Sequence, residues 1–482
     1  MSRSSLKSIN LRPKTPQKNQ RRKTVPLPKT YFFCGIGGSG MMPLACILHA
    51  QGHRVFGSDR SRDQGNTPDK FAALENLGLK LFPQDGSGVN ADIDVFVTST
   101  AVESTIPDVG AAMEKDIKIQ SRAECLAGLF HESKMPIGIA GTSGKTTVTG
   151  MAATMFYELG LDPTVMNGGQ VKNLQTDMSA AGGNFLIGKG DAFISEMDES
   201  DGSIDLFTPA IALINNITFD HKPLDVLQDH FQGFVNRATR ASIINLDDAN
   251  AANLVFPKNT LTYAINDENA DMVATNIAFS DNGSSFEVMG QTVTLNVPGA
   301  HNVSNALAVL CIAKVLDLAF EMACQSLSKF DGIKRRMETV GVKNGVTVID
   351  DFGHNPDKIA AGLKTAKQNG ARVIVMFQAH GFAPLRLMGD EIVSSFKESF
   401  EKGDMLLMPE VYYAGGTVDR SVMAKDIIER AQKADIEAHW FKNRSDIKAF
   451  IQDNARKGDK VLIMGARDDT LSEFAQEVLG AL

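Results

Sequence analysis

Twice in this chain an apolar stretch runs directly into a glycine-rich turn and then into a helix-compatible segment, first over Tyr31–Gln51 and again over Pro136–Leu159. Such units build parallel sheets, because a crossover must carry the chain back before the next parallel strand can form. Each also turns free backbone amides and the positive end of a helix toward an anion on the turn. Two loops of this kind imply two separate α/β domains. A length of 482 residues leaves room for a third, at about 150 residues per domain.

The pattern divides the chain into a basic tail (1–29), a first domain (30–133), a second (134–328) and a third (329–482). In the first, strands are expected at Tyr31–Cys34, His53–Gly57 and Ile93–Thr98, with a helix over Met41–Gln51. In the second, strands fall at Pro136–Ala140, Ala192–Ser195 and Ala210–Asn215. A helix is expected from about Val148 to Leu159, irregular strand-rich sequence from Leu261 to Pro298, and a helix from His301 to about Leu318. The polar connector SLSKFDGIKRR leads into a third alternation, with strands at Thr347–Ile349, Val373–Phe377, Met405–Met408 and Lys460–Met464.

The first loop, Gly35-Ile36-Gly37-Gly38-Ser39-Gly40, fills the glycine positions of a GxGxxG pattern. It suits a nucleotide diphosphate, a dinucleotide such as NAD, or merely tight strand–helix packing, and all three stay open on this loop alone. Asp59, at the end of the second strand, is placed to accept hydrogen bonds from a ribose or base. The second loop, Gly141-Thr142-Ser143-Gly144-Lys145-Thr146-Thr147, is more specific. It departs from the strict P-loop pattern in having Ile139 where a glycine is usual. Lys145 has the chemistry to neutralise outer phosphates, the amides to cradle them, and the Thr146 hydroxyl to help hold magnesium. Carboxylates at Glu196, Asp198, Glu199 and Asp201 begin where an apolar strand ends, and Asp220-His221 follows the next strand. Beside a phosphate loop, acids at strand ends suit a hard cation, although a run of acids is also an ordinary solvated turn.

Composition narrows the class. A net charge of −8 coexists with nine Lys or Arg and no acid in the first 30 residues, so the remainder is more acidic still and offers no basic footprint for nucleic acid. The tail reads as a disordered extension. No stretch approaches the roughly 20 apolar residues needed to span a bilayer, and no signal-peptide core precedes the first strand, so a cytoplasmic chain is expected. The five cysteines, scattered and without a CxxC pair, read as reduced, buried thiols.

The segments GIGGSGM (35–41), GTSGKTT (141–147), EMDESDGS (196–203), NNITFDH (215–221), GAHNVSNALA (299–308), KRRMETVG (334–341) and DDFGHNP (350–356) occur in the order and approximate spacing of the Mur ligases, which the chain resembles from about Thr30 to its end. Within that family the wording is nearest the alanine-adding members. The resemblance implies a Rossmann-like domain for a UDP-linked substrate, a P-loop ATPase domain, and a Rossmann-like domain that closes on the amino acid and the nucleotide. It implies ATP and Mg2+, and an amide-forming reaction between L-alanine and UDP-N-acetylmuramate through an acyl phosphate. By the same resemblance Gly37, Gly38, Ser39, Gly40 and Met41 would hold the UDP diphosphate, with Asp59 and Ser99 toward the nucleoside. Gly141 through Thr147 would hold the ATP phosphates. Lys145 would stabilise the transferring phosphoryl group, and Thr146, Glu196 and His221 would ligate magnesium. Asn302 and Asn305 would lie near adenine, Arg336 near the phosphates, Asp351 near the ribose, and His354 at the substrate junction. A monomer or weak dimer is expected, with no membrane or stable nucleic-acid partner.

Three departures stand out. Ser143 and Asn355 replace histidines typical of the alanine-adding members, and FQAHGFAPLR lacks the HRYTRT-like wording expected for the amino-acid side, leaving His380 and Arg386 as candidates there. Tyr413, Asp419 and Arg420 are further candidates near the cleft. These changes keep open a ligase that adds a tripeptide to UDP-N-acetylmuramate, a related ligase with another acceptor, and a non-catalytic ATP-binding paralogue.

Overall fold

The computed structural model describes residues 27–482 apart from 100, 101, 103, 104, 175–183, 219–222, 281, 282, 368, 369, 413–418, 467 and 469. Three principal sheets follow one another along the chain.

The first sheet is parallel, in the order Lys80–Phe82, Arg54–Ser58, Thr30–Cys34, Val95–Thr98, Lys118–Ser121. Its central strand, TYFFC, is buried along its whole length, as a strand covered on both faces must be. The chain leaves that strand toward one side of the sheet and later crosses to the other, so the turn after Cys34 opens at the point where strand order reverses. Crevices of this kind receive ligands in open α/β sheets.

The second sheet places Met135–Ala140 between Ile211–Ile214 and Ala192–Glu196, all parallel. The phosphate loop and the acidic turn therefore leave adjacent strands at the same edge. The helix after the loop begins at Lys145, three residues before the expected start, because Gly144 (φ 82°) ends the turn in the left-handed region. That helix, Lys145–Glu158, is buried on almost every side, and a Cβ on its Gly150 would lie 2.5 Å from Ile333 Cδ1. A three-stranded antiparallel sheet accounts for much of the strand-rich region, over Thr275–Ser280, Gly283–Val288 and Gln291–Leu295. The next helix runs over Ala300–Val315.

Phe330 and Ile333 are buried with the second domain's core, and the chain passes to the third sheet through Lys334–Met337. Arg335 (φ 58°) and Met337 (φ 48°) both adopt left-handed backbone there, costing on the order of 1 kcal/mol each or more. The strain is held by contacts: Arg335 hydrogen-bonds the carbonyls of Gly465 (2.7 Å) and Asp468 (3.0 Å), and the Met337 amide donates to Asp351 (2.8 Å). The third sheet carries the expected parallel strands plus an antiparallel edge, Glu338–Lys343, joined to Val346–Asp351 by Asn344-Gly345 with both residues at positive φ. Asn-Gly is the favoured pair for such a tight hairpin.

All five cysteines are free and buried, as expected. No helix among the described residues is long and apolar enough to cross a membrane.

Candidate active site

At the first loop the Gly35 and Ile36 amides bond the Ser58 carbonyl, and the Gly37 amide donates to Asp59 Oδ2 at 2.8 Å. Asp59 Oδ1 meanwhile accepts from the Ser61 amide at 2.8 Å, capping a short helix. Both oxygens of this buried carboxylate are thus engaged in shaping the loop, and a Cβ on Gly37 would lie 2.9 Å from the Phe71 ring and 3.0 Å from Asp59. Gly38, Ser39 and Gly40 lie at least partly open to solvent, and Met41 starts the buried helix Met41–Ala50. Ser99 is half-buried at the end of the neighbouring strand. Arg122, outside the expected set, overhangs the loop, its Cδ 3.0 Å from where a Cβ on Gly40 would stand.

The second loop is held by side-chain amides from the strand end next to it. Asn216 Oδ1 accepts from the Ser143 amide (2.8 Å) and the Thr142 hydroxyl (2.9 Å), while its Nδ2 donates to the Ser143 carbonyl (2.9 Å). Asn215 Nδ2 donates to the same carbonyl (3.0 Å) and to Asn305 Oδ1 (3.2 Å). Asn302 donates to the Pro298 carbonyl (2.8 Å) at the start of the Ala300–Val315 helix. Asn302 and Asn305 are therefore at the base of the loop, and the described contacts of Asn305 brace it.

Lys145 Nζ reaches the Gly141 carbonyl (2.5 Å) and both oxygens of Glu199 (2.8 and 3.0 Å), in a pair whose side chains are only 20% and 5% exposed. Thr146 Oγ1 donates to Glu196 Oε2 at 3.0 Å. Burial pushes the carboxyls of Glu196 and Glu199 up, opposed in both by the Lys145 charge; at Glu196 the Thr146 hydrogen bond and Arg336 also oppose it. Burial acts the same way on Asp198, but hydrogen bonds from Ser200 and the charges of Lys145 and Arg122 outweigh it and hold that carboxyl low.

Asn184 ties the first loop to the second domain. Its Nδ2 donates to the Ser39 carbonyl of the first loop (3.2 Å) and to the Asn167 carbonyl (3.0 Å). The next residue, Gly168, lies against the Thr146–Glu196 pair: a Cβ there would fall 2.0 Å from Glu196 Oε1 and 3.1 Å from Thr146 Oγ1. Only glycine lets the chain approach that carboxylate so closely.

The third domain contributes cationic and imidazole groups. Arg336 stacks over Phe352 at 4.9 Å and is close enough to lower the Glu196 carboxyl. His354 Nδ1 is 2.9 Å from the Phe352 carbonyl, which can only accept, so Nδ1 carries the proton and Nε2 presents a lone pair. Burial, then Lys358, His380 and Arg336, hold the His354 imidazole down at about 3, against the Phe352 hydrogen bond. The His380 ring lies 5.1 Å away. Asp351 spends its oxygens on the amides of Met337 and Gly353 (2.8 Å each), fixing the crossover, and burial raises its carboxyl. Asn355 caps the helix Pro356–Ala366 by accepting from the Lys358 amide at 3.0 Å, a position where asparagine is favoured. Arg386 pairs with Asp419 at 2.9 Å on an exposed face, and Arg420 lies over the Phe382 ring. His221 and Tyr413 lie outside the described residues.

Thus Lys145, Thr146, Glu196, Arg336, His354 and His380 come together, and Asn184 joins the first loop to the Asn167–Gly168 segment beside them. Asn215, Asn216 and Arg122 were absent from the expected set, and Glu199, expected among the cation-binding acids, pairs with Lys145. An asparagine pair directly after an apolar strand, level with a glycine loop, is the signal that could have found the first two.

Among the described residues no group of three or more His, Cys, Asp or Glu side chains forms a ready metal cage. Magnesium does not need one, since it keeps several waters and binds through one or two protein oxygens plus phosphates. The Thr146–Glu196 pair, a hydroxyl and a carboxylate beside the phosphate loop, fits that demand.

Comparison with known proteins agrees along the chain. Residues 30–134 match the Mur ligase family catalytic domain, 139–313 the Mur ligase middle domain, and 335–467 the Mur ligase glutamate ligase domain. A UDP-N-acetylmuramate–L-alanine ligase of Geobacter sulfurreducens is 35% identical over 452 residues, covering 90% of this chain and 94% of that protein. One from Gloeobacter violaceus is 32% identical over 445 residues, covering 90% and 92%. The crystal structure of UDP-N-acetylmuramate-alanine ligase from Thermotoga maritima superposes with a TM-score of 0.75 at 25% identity, over 94% of this chain and 98% of that one. A murein peptide ligase from Psychrobacter arcticus shares the fold, with a TM-score of 0.66 at 24% identity over 94% and 98%.

Proposed function

We propose, from the premise that this chain belongs to the Mur ligase family, that it joins L-alanine to UDP-N-acetylmuramate in an ATP-dependent, amide-forming reaction. The observation that carries the reading is that the phosphate loop's Thr146–Glu196 pair lies against Gly168, next to Asn167, whose carbonyl shares the Asn184 side chain with the Ser39 carbonyl of the first loop.

A carboxylate is a poor electrophile at neutral pH. Transfer of the ATP γ-phosphoryl group to a carboxylate oxygen makes a mixed anhydride, and attack by the amine then expels phosphate with that oxygen. The protein's part is positioning and charge neutralisation. The first loop would hold the UDP diphosphate on its amides, placing the muramoyl carboxylate toward Glu196. The second loop would cradle the ATP phosphates, with the Lys145 ammonium, exchanged from Glu199 to phosphate, neutralising the group in transfer. Thr146 and Glu196, with His221, would hold magnesium, which when bound screens the repulsion between carboxylate and phosphates. Arg336 would add charge from the third domain. His354, a weak base whose imidazolium would readily give up its proton, would orient the attacking amine through Nε2 rather than retain its proton.

The test is ADP release with magnesium, ATP and UDP-N-acetylmuramate, offering L-alanine, glycine, L-serine or the L-Ala-γ-D-Glu-meso-diaminopimelate tripeptide separately and identifying products by mass. Amide formed with L-alanine supports the reading. A product with the tripeptide alone transfers the assignment to a peptide-adding ligase, and absence of ADP in every mixture defeats it.

A further inference from the structure

The phosphate loop is braced from a strand that no part of the proposed mechanism touches. Tyr263, on the strand Thr260–Ala264, is fully buried and donates its hydroxyl to Asn215 Oδ1 at 2.7 Å. That bond fixes which way the Asn215 amide faces, so both N–H groups point the other way, to the Ser143 carbonyl (3.0 Å) and to Asn305 Oδ1 (3.2 Å). The Asn215 backbone is pinned as well, its carbonyl accepting from Asn245 Nδ2 at 2.9 Å. Asn215 Nδ2 also fills the space beside Gly144, where a Cβ would lie 2.3 Å from it. The left-handed turn ahead of Lys145 is therefore packed directly on this amide.

We infer that Tyr263 is a positioning residue for ATP-dependent transfer, acting through Asn215 to set the Ser143–Gly144 turn and with it the register of Lys145. The inference rests on the proposal that the second loop holds ATP. Without the hydroxyl, Asn215 Oδ1 is a buried acceptor with no donor on that side, and the amide gains a reason to flip and withdraw its hydrogen bond from Ser143. A displacement of about 1 Å at a transfer site is enough to cost about a hundredfold in rate.

The test uses the full-length protein with Tyr263→Phe, which keeps the ring and removes only the hydroxyl, alongside Asn215→Ala and the double variant. The expected result for Tyr263→Phe is a kcat lower by about tenfold or more with an unchanged KM for the UDP-linked substrate, and at least about tenfold faster amide hydrogen exchange across 141–147. The double variant should be no slower than Asn215→Ala, because the two side chains act as one unit. Parent-like kcat and loop exchange in Tyr263→Phe overturn the inference, and so do losses that multiply in the double variant. Hydrogen exchange reads the loop without turnover, so a parent protein that forms no amide would sink the ligase reading while leaving the Tyr263 contrast intact.

Discussion

The two glycine loops look alike in sequence but are held by different chemistry. The first is shaped by one carboxylate, Asp59, and leaves Gly38 and Ser39 near solvent. The second is packed on side-chain amides, the half-buried Asn216 and the buried Asn215 and Asn305, closed off by Tyr263. Holding a diphosphate and aligning a phosphoryl group in transfer make different demands. Binding tolerates small shifts, whereas transfer depends on sub-ångström alignment. The difference in bracing predicts that damage to the first loop appears in KM and damage to the second in kcat.

Replacing Lys145 by Ala should give the largest effect. Loss of a preorganised charge on the transferring group lowers kcat by about a hundredfold to a thousandfold, while UDP-substrate binding, measured by calorimetry, stays at the parent value. A comparable fall in UDP-substrate affinity would erase the division between the loops. Gly144→Ala comes next. Left-handed backbone costs a β-carbon about 1 kcal/mol, and the collision with Asn215 Nδ2 must be relieved by moving the loop, so kcat should fall by about tenfold or more with most of the thermal stability retained. A variant as active as its parent would show that the loop yields without consequence.

Asp59→Ala sharpens the other side. It removes a helix cap and the partner of the Gly37 amide, a loss of about 1 kcal/mol, so the KM for the UDP-linked substrate should rise by about fivefold to tenfold with kcat unchanged. A fall in kcat alone would contradict the assignment.

The smallest effect concerns the third domain's approach to the second loop. His354 is held neutral down to about 3, mainly by burial, whereas an unfolded histidine titrates near 6.5. As pH falls from 6.5 toward 3 the unfolded chain binds a proton that the folded one refuses, so this residue makes the protein less stable on acidification. Denaturation midpoints at pH 7 and pH 5 should therefore differ more for the parent than for His354→Gln. Equal differences would mean that His354 titrates freely in the folded protein.

Much of this was legible in the sequence. Strand, glycine turn and helix are local patterns, so both loops, the three α/β units and Lys145 could be read directly. The pairing of Thr146 with Glu196, 50 positions away, came from the family resemblance rather than from a local pattern. What could not be read were pairings across sequence distance. Tyr263 meets Asn215 across 48 positions and Asn184 reaches Ser39 across 145, and no periodicity marks either. Asp351 and Asn305 show the same limit. The family resemblance suggested ligand contacts for both, and their bonds in the folded chain, Asp351 fixing the domain crossover and Asn305 bracing the loop, were not foreseen. Arg386 likewise meets its partner Asp419 from a separate segment.

The account's central claim is that the two loops bring a carboxylate and ATP together for phosphoryl transfer before the amide forms. Its most direct test is turnover with magnesium, ATP, L-alanine and UDP-N-acetylmuramate carrying 18O in the muramoyl carboxylate, with mass analysis of the released phosphate. The account predicts one 18O in each phosphate, delivered from the carboxylate when the amine expels it. Amide formation accompanied by unlabelled phosphate would contradict it.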